Sequence, residues 1–138
     1  MKLKASVILY FALSMNSAFA STLQHNIDEA RTISDYQKRY EYLKAIDKKL
    51  IESASLAEQV SYNVRLIHVH IHLGQFKQAQ TIIDELEAGP KYKKDSPIYS
   101  ELYLAKARLA YRKSDLETAI YLSQQNVALF QRLQLTQY

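Results

Sequence analysis

A short pattern recurs every forty residues along this chain, and it limits the fold more than any other feature. Leu73-Gly74-Gln75-Phe76-Lys77-Gln78-Ala79 returns as Lys113-Ser114-Asp115-Leu116-Glu117-Thr118-Ala119, and a fainter copy stands at Ser34-Asp35-Tyr36-Gln37-Lys38-Arg39. Gly74 separates two amphipathic runs, and glycine takes the left-handed backbone that ends a helix without a Cβ clash. Phe76, Ala79 and Ile83 then recur on one face of the next helix. Three copies at one period predict stacked helical hairpins, an architecture whose usual task is binding.

The residues between the copies extend the prediction. Leu23, Ile27 and Ala30 outline a short first helix. Ser34 and Gln37 form a capping box ahead of Tyr36, Tyr40, Leu43, Ile46 and Leu50, which predict one helix to about Glu52. A second box, Ser55 to Glu58, opens a run to Gly74 that is apolar nearly all round, as a helix packed on two sides would be. His68-Val69-His70-Ile71-His72 alternates like a strand, yet the capped run around it is far longer than an ordinary strand. Gln75 to about Glu87 is the next helix, stopped by Gly89-Pro90. Ser96 and Pro97 start another that runs to about Lys113, and a third box, Ser114 to Glu117, opens the last, ending near Leu133. The predicted class is all-α, with hairpins over approximately 22–52, 55–88 and 97–134.

Composition excludes most catalytic architectures. Gly74 and Gly89 are the only glycines, so phosphate-cradling loops, dinucleotide fingerprints and nucleophile elbows have no material. There is no cysteine, hence no disulfide and no thiolate chemistry. Met1-Lys2-Leu3-Lys4, an apolar stretch from Ala5 to Met15 and the small residues of Ala18-Phe19-Ala20 read as a signal peptide over residues 1–20. That stretch is shorter than the roughly 20 apolar residues a membrane span requires. Lys2 and Lys4 leave with the leader, which halves the formal charge of +4 and weakens any case for nucleic acid. Export without cysteine points to a bacterial periplasm, in a Gram-negative cell. Lys91, Lys93 and Lys94 around Tyr92 read as a solvated loop.

Gly74-Gln75-Phe76-Lys77-Gln78-Ala79 resembles the helix-turn-helix centre of a tetratricopeptide repeat, which favours Gly-x-Tyr-x-x-Ala. Tyr103, Ala107 and Ala110 match that family's large-small-small stripe, and Leu116 with Ala119 its turn and second helix. The resemblance covers Ser55 to Phe130 well and Ile27 to Leu50 loosely. Ile67 and His70 stand where the family has a small residue and an aromatic, Ser114 replaces the turn glycine, and Arg39 the key alanine. The family's period is about 34 residues, and the excess here falls in the Gly89–Ser96 connection. The resemblance implies a tetratricopeptide-like α-solenoid of two good repeats behind a degenerate leading helix pair. A signal peptide with such hairpins also looks like the periplasmic sensory region of some bacterial GGDEF diguanylate cyclases; on that view the chain is a severed sensor.

In tetratricopeptide folds the first helix of each hairpin lines a concave groove for peptides or helices. The resemblance therefore puts Val64, His68, Ile71 and His72 on that groove from one hairpin, and Glu101, Leu104, Arg108, Tyr111 and Arg112 from the next. Arg108, Arg112 and a partly charged His68 or His72 would favour an acidic peptide. His68 and His72 are one turn apart and could begin a metal site, but a site needs three or four ligands and none stands nearby. A small metal-responsive protein is the corresponding alternative. No serine or carboxylate is set against His25, His68, His70 or His72 by a recognisable motif, so no catalytic residue and no cofactor are expected. Val127, Phe130, Leu133 and Leu135 form an apolar face on the last helix that either packs back on its own hairpin or docks a partner or a second copy, a continuing chain being the option that fits the severed sensor. The expected function is protein or peptide binding without catalysis.

Overall fold

Left-handed backbone at two positions forty residues apart sets the course of the chain. Gly74 has φ 72° and Ser114 has φ 64°. Gly74 N–H donates to the Ile71 carbonyl and Gln75 N–H to that of His70; Ser114 and Asp115 repeat both bonds to Tyr111 and Ala110. These paired bonds are the Schellman arrangement that closes a helix. The computed structural model describes residues 22–89 and 96–135. The predicted leader of residues 1–20 and the basic loop around Tyr92 lie outside the described residues.

The described residues form α1 (Leu23–Thr32), α2 (Tyr36–Lys44), α3 (Lys48–Ser53), α4 (Leu56–His72), α5 (Phe76–Ala88), α6 (Pro97–Arg112) and α7 (Leu116–Leu135), with no strand among them. Helices end at Thr32, His72 and Arg112, and their successors begin at Tyr36, Phe76 and Leu116. The forty-residue period thus holds for all three copies. The fold is an all-α stack of the hairpins α1–α2, α4–α5 and α6–α7, with α3 inserted after the first.

Helix α4 joins the stack through three parallel stripes, each stepping four, three and four residues. Val60, Val64, Ile67 and Ile71 face α5 and α6, where Ala79, Ile83, Leu102, Ala105 and Leu109 complete one core cluster. Tyr62, Leu66, Val69 and the partly buried Leu73 face the leading pair, meeting Leu23, Ile27, Ala30 and Leu43. The Tyr62 hydroxyl donates to the buried Leu43 carbonyl at 3.1 Å. The third stripe, Ser61, Arg65, His68 and His72, lies between the other two and stays polar. Two apolar stripes about 100° to either side of a polar one make α4 the shared wall of both cores.

Two expectations about helix boundaries need correction. The helix read from Tyr36 to Glu52 is two helices, because Asp47 caps a new start by accepting from Lys49 N–H at 2.9 Å. Short carboxylates compete with the helical ladder in this way. The cap serines also shift by one: Asp35 accepts from Lys38 N–H and Asp115 from Thr118 N–H. Ser114 belongs instead to the preceding left-handed turn. The Ser55–Glu58 box forms as expected, with both reciprocal bonds. Ser96 precedes Pro97 at the start of α6, but its hydroxyl accepts no cap bond from the first-turn amides.

A non-glycine residue in the left-handed region costs about 1–2 kcal/mol, partly offset by glycine's greater freedom when unfolded. Ser114→Gly should therefore stabilise the protein by about 0.5–1 kcal/mol. Gly74→Ala should destabilise it comparably, since an added Cβ there meets no atom within 4 Å and only backbone strain opposes it. Urea midpoints measure both; a Ser114→Gly protein no more stable than the parent would show that the turn carries no strain.

Candidate functional site

The polar stripe of α4 looks out between α1 and α6, and side chains from four helices converge on it. Arg108 on α6 reaches across to His68, its Nη1 3.3 Å from His68 Nε2. Guanidinium groups only donate, so Nε2 accepts and the imidazole proton sits on Nδ1. His72, one turn on, stacks flat on Tyr36 of α2 with ring centroids 3.9 Å apart and an interplanar angle of 8°. Arg39 lies over the Tyr36 ring, 4.8 Å from its centroid, and donates to the Ile33 carbonyl at 2.8 Å. Arg31, in the last turn of α1, pairs with Asp28 at 3.2 Å.

Burial, reinforced by this concentration of cations, sets the protonation of both histidines. Burial, then Arg108, Arg65, His72 and Arg31, push the His68 pKa down to about 3. Burial, then Arg112, Arg108 and Arg39, lower that of His72. Arg65 is lowered as well, by burial first and then Arg31, with Glu101 opposing. The partly charged His68 expected from the sequence is therefore replaced by a neutral one. Burial first, and then the cost of a second positive charge beside Arg108, outweigh the ordinary basicity of imidazole.

Of the nine residues assigned to a groove, His68, His72, Glu101, Arg108 and Arg112 do border this face. Val64 and Ile71 do not: they are 1% and 3% exposed and belong to the core with α5 and α6. Each sits one position from the polar stripe, a rotation of about 100° that is enough to change sides. Leu104 and Tyr111 turn the other way, into a second surface. There α6 and α7 enclose an open apolar groove of about 730 Å³, floored by Ala107 and Ala119 and walled by Leu104, Tyr111, Ile120 and Val127. Its walls are 40% to 65% exposed. Ile120 was not foreseen; its signal was the spacing Leu116, Ile120, Val127 along the last helix. Phe130, foreseen with Val127, is 55% exposed.

Metal binding finds no support on the α4 face. Among the described residues no three His, Cys, Asp or Glu side chains are grouped to hold an ion. His68 Nε2 is engaged by a guanidinium and His72 is clamped in a stack among arginines, surroundings that repel a cation. His70 points away, buried, with Nδ1 2.7 Å from Gln75 Oε1. No described helix is long and apolar enough to cross a membrane. No protein-family model matches the chain, and neither a curated protein nor a solved structure matches it.

The neutrality of His68 has a sign that can be checked. In the unfolded chain histidine titrates near about 6.5, whereas folded His68 titrates at about 3, so the unfolded state takes up the proton first as pH falls. Stability is then unaffected by this group above about pH 6.5 and is lost progressively on acidification, at up to about 1.4 kcal/mol per pH unit. His72 acts in the same direction. His68→Gln should flatten, without abolishing, the fall in unfolding free energy between about pH 6 and 4. An unchanged slope would mean that His68 is already charged in the folded protein.

Proposed function

We propose that this chain is a protein-binding module that receives an amphipathic helix of a partner in the groove between α6 and α7. One observation carries the reading. Val64, Ile67, Ile71, Phe76, Ala79 and Ile83 form the surface of the α4–α5 hairpin on which α6 packs. Moved forward by forty residues they become Leu104, Ala107, Tyr111, Leu116, Ala119 and Ser123, and all six line the open groove. Within the chain, then, the same surface on one hairpin already holds a helix, and on the next it is uncovered by any described residue.

The helix that fills the first copy tells what the second would accept. α6 offers Ile98, Leu102, Ala105 and Leu109, large residues with one small residue at the closest approach. A partner helix with apolar groups at the same four-three-four steps fits the groove, and a carboxylate on its flank would meet Arg108 at the rim. A second copy is a poorer occupant. Helices α4 and α6 already spend their apolar stripes inside the stack, and α7 forms one wall of the groove itself.

The hairpin period, the Gly74–Ala79 turn and the paired Schellman closures support placing the chain with tetratricopeptide-like repeats. The residue pattern of its first twenty positions supports export to a periplasm. Binding needs no chemistry at the site, and the reading is of a non-catalytic module.

A fluorescent amphipathic peptide carrying that stripe should bind with a change in anisotropy. Ile120→Lys and Val127→Lys should each weaken it at least about tenfold by burying an unpaired charge. Neither should lower the melting temperature, because both side chains are more than half exposed. Sedimentation would reveal a self-association abolished by the same changes, which would replace the partner helix by a second copy. Absence of binding, or binding indifferent to both lysines, overturns the proposal.

A further inference from the structure

We propose that the face of α4 between α1 and α6 is a second binding site, for an oxyanion, the carboxylate or phosphate group of a ligand, held by Arg65 and Arg108 over His68. It is separate from the helix groove and shares only Arg108 with it.

The first argument is a charge imbalance built across elements. Arg31 comes from α1, Arg65 from α4, and Arg108 and Arg112 from α6, with Arg39 of α2 at the margin. Two carboxylates face them. Asp28 is committed to Arg31, and Glu101, which acts electrostatically on Arg65, forms no hydrogen bond with it among the described residues, its own Oε2 being buried without a partner as well. The α-helix dipole favours cations in a last turn and so accounts for Arg31 and Arg112. It does not account for Arg65, mid-helix on α4.

The second argument is an unmet donor. Arg65 Nε is buried and has no hydrogen-bond partner. Buried donors in folded proteins nearly always have one, and leaving a charged group unsatisfied is costly. His68 is the third. Arg108 spends one donor on a neutral imidazole at 3.3 Å, a weak acceptor for a guanidinium, while its remaining donors lack a carboxylate among the described residues. Guanidinium forks suit planar carboxylates and tetrahedral phosphates alike. An oxyanion here would offset the mutual repulsion of the arginines and reduce the share of the penalty on protonating His68 that Arg108 and Arg65 impose.

That last consequence gives a readout specific to the site. Inorganic phosphate and succinate, each titrated at constant ionic strength against a chloride background, are the probes. The ring resonances of His68, assigned through His68→Gln, should shift on titration with at least one probe, and the His68 titration midpoint should rise at saturation. Which probe is effective identifies phosphate or carboxylate as the preferred group. Arg65→Gln, checked by circular dichroism, should weaken binding at least tenfold. Arg31 acts on both His68 and Arg65 and is exposed, so Arg31→Gln keeps its fold and should weaken binding in the same direction. Neither change should affect helix-peptide binding, just as Ile120→Lys should leave anion binding intact, so the two proposals fail separately. Resonances unmoved by both probes, or shifts that persist in both arginine variants, overturn this one.

Discussion

Everything in this fold leans on α4. Its two apolar stripes fill different cores, one closed by α5 and α6 and the other by α1, α2 and α3. Deleting a fully buried aliphatic side chain typically costs about 2–5 kcal/mol, a large share of the roughly 5–15 kcal/mol that holds a domain together. Neither terminal hairpin touches the other's core directly. Stability therefore passes between them chiefly through α4, helped by Ile82 of α5, which packs against both clusters, and residues such as Ile67 and Val69, both essentially unexposed, couple the two halves.

The same arrangement dictates where function can reside. A helix with two buried stripes has one narrow face left for solvent, and whatever is placed there is held between two flanking helices. On α4 that face carries Arg65, His68 and His72, whose positions are fixed by packing on both sides. The Tyr36–His72 stack and the His70–Gln75 bond tie the end of α4 to its neighbours. Side chains so placed are restrained before any ligand arrives, which reduces the ordering cost of binding.

Much of this was legible in the chain itself. The forty-residue period, the turn at Gly74 and the two-sided burial of α4 all follow from residue spacing, because repetition and helical periodicity are properties of sequence before they are properties of structure. What was not legible turned on single-residue distinctions. Asp47 breaks a helix that apolar spacing alone would continue. Ser34 and Ser114 look like caps, but the neighbouring aspartates take that place. Val64 and Ile71 differ from His68 and His72 by one step round the helix, and the identity of the facing elements decides which step is inside. The charge of His68 was wholly illegible, for it is suppressed by burial under neighbouring helices and then by arginines as far away in sequence as Arg108 and Arg31.

Repetition also explains why the open groove and the cationic face coexist. Each hairpin in a stack presents one side to the next hairpin and one edge to solvent. The stacking side must be apolar, and in the last described hairpin it is uncovered, with Tyr111 and Leu116 more than half exposed. The edge is free of that demand, so it can accumulate charge without weakening the core. Row by row, the edge reads Asp28, His68, Arg108 and Thr32, His72, Arg112, equivalent positions that become more basic from one repeat to the next. A ligand that needed both features would have to bridge α6, where Arg108 borders the groove on one side and the His68 site on the other. Arg108 is thus the one side chain through which occupancy of one surface could be felt at the other.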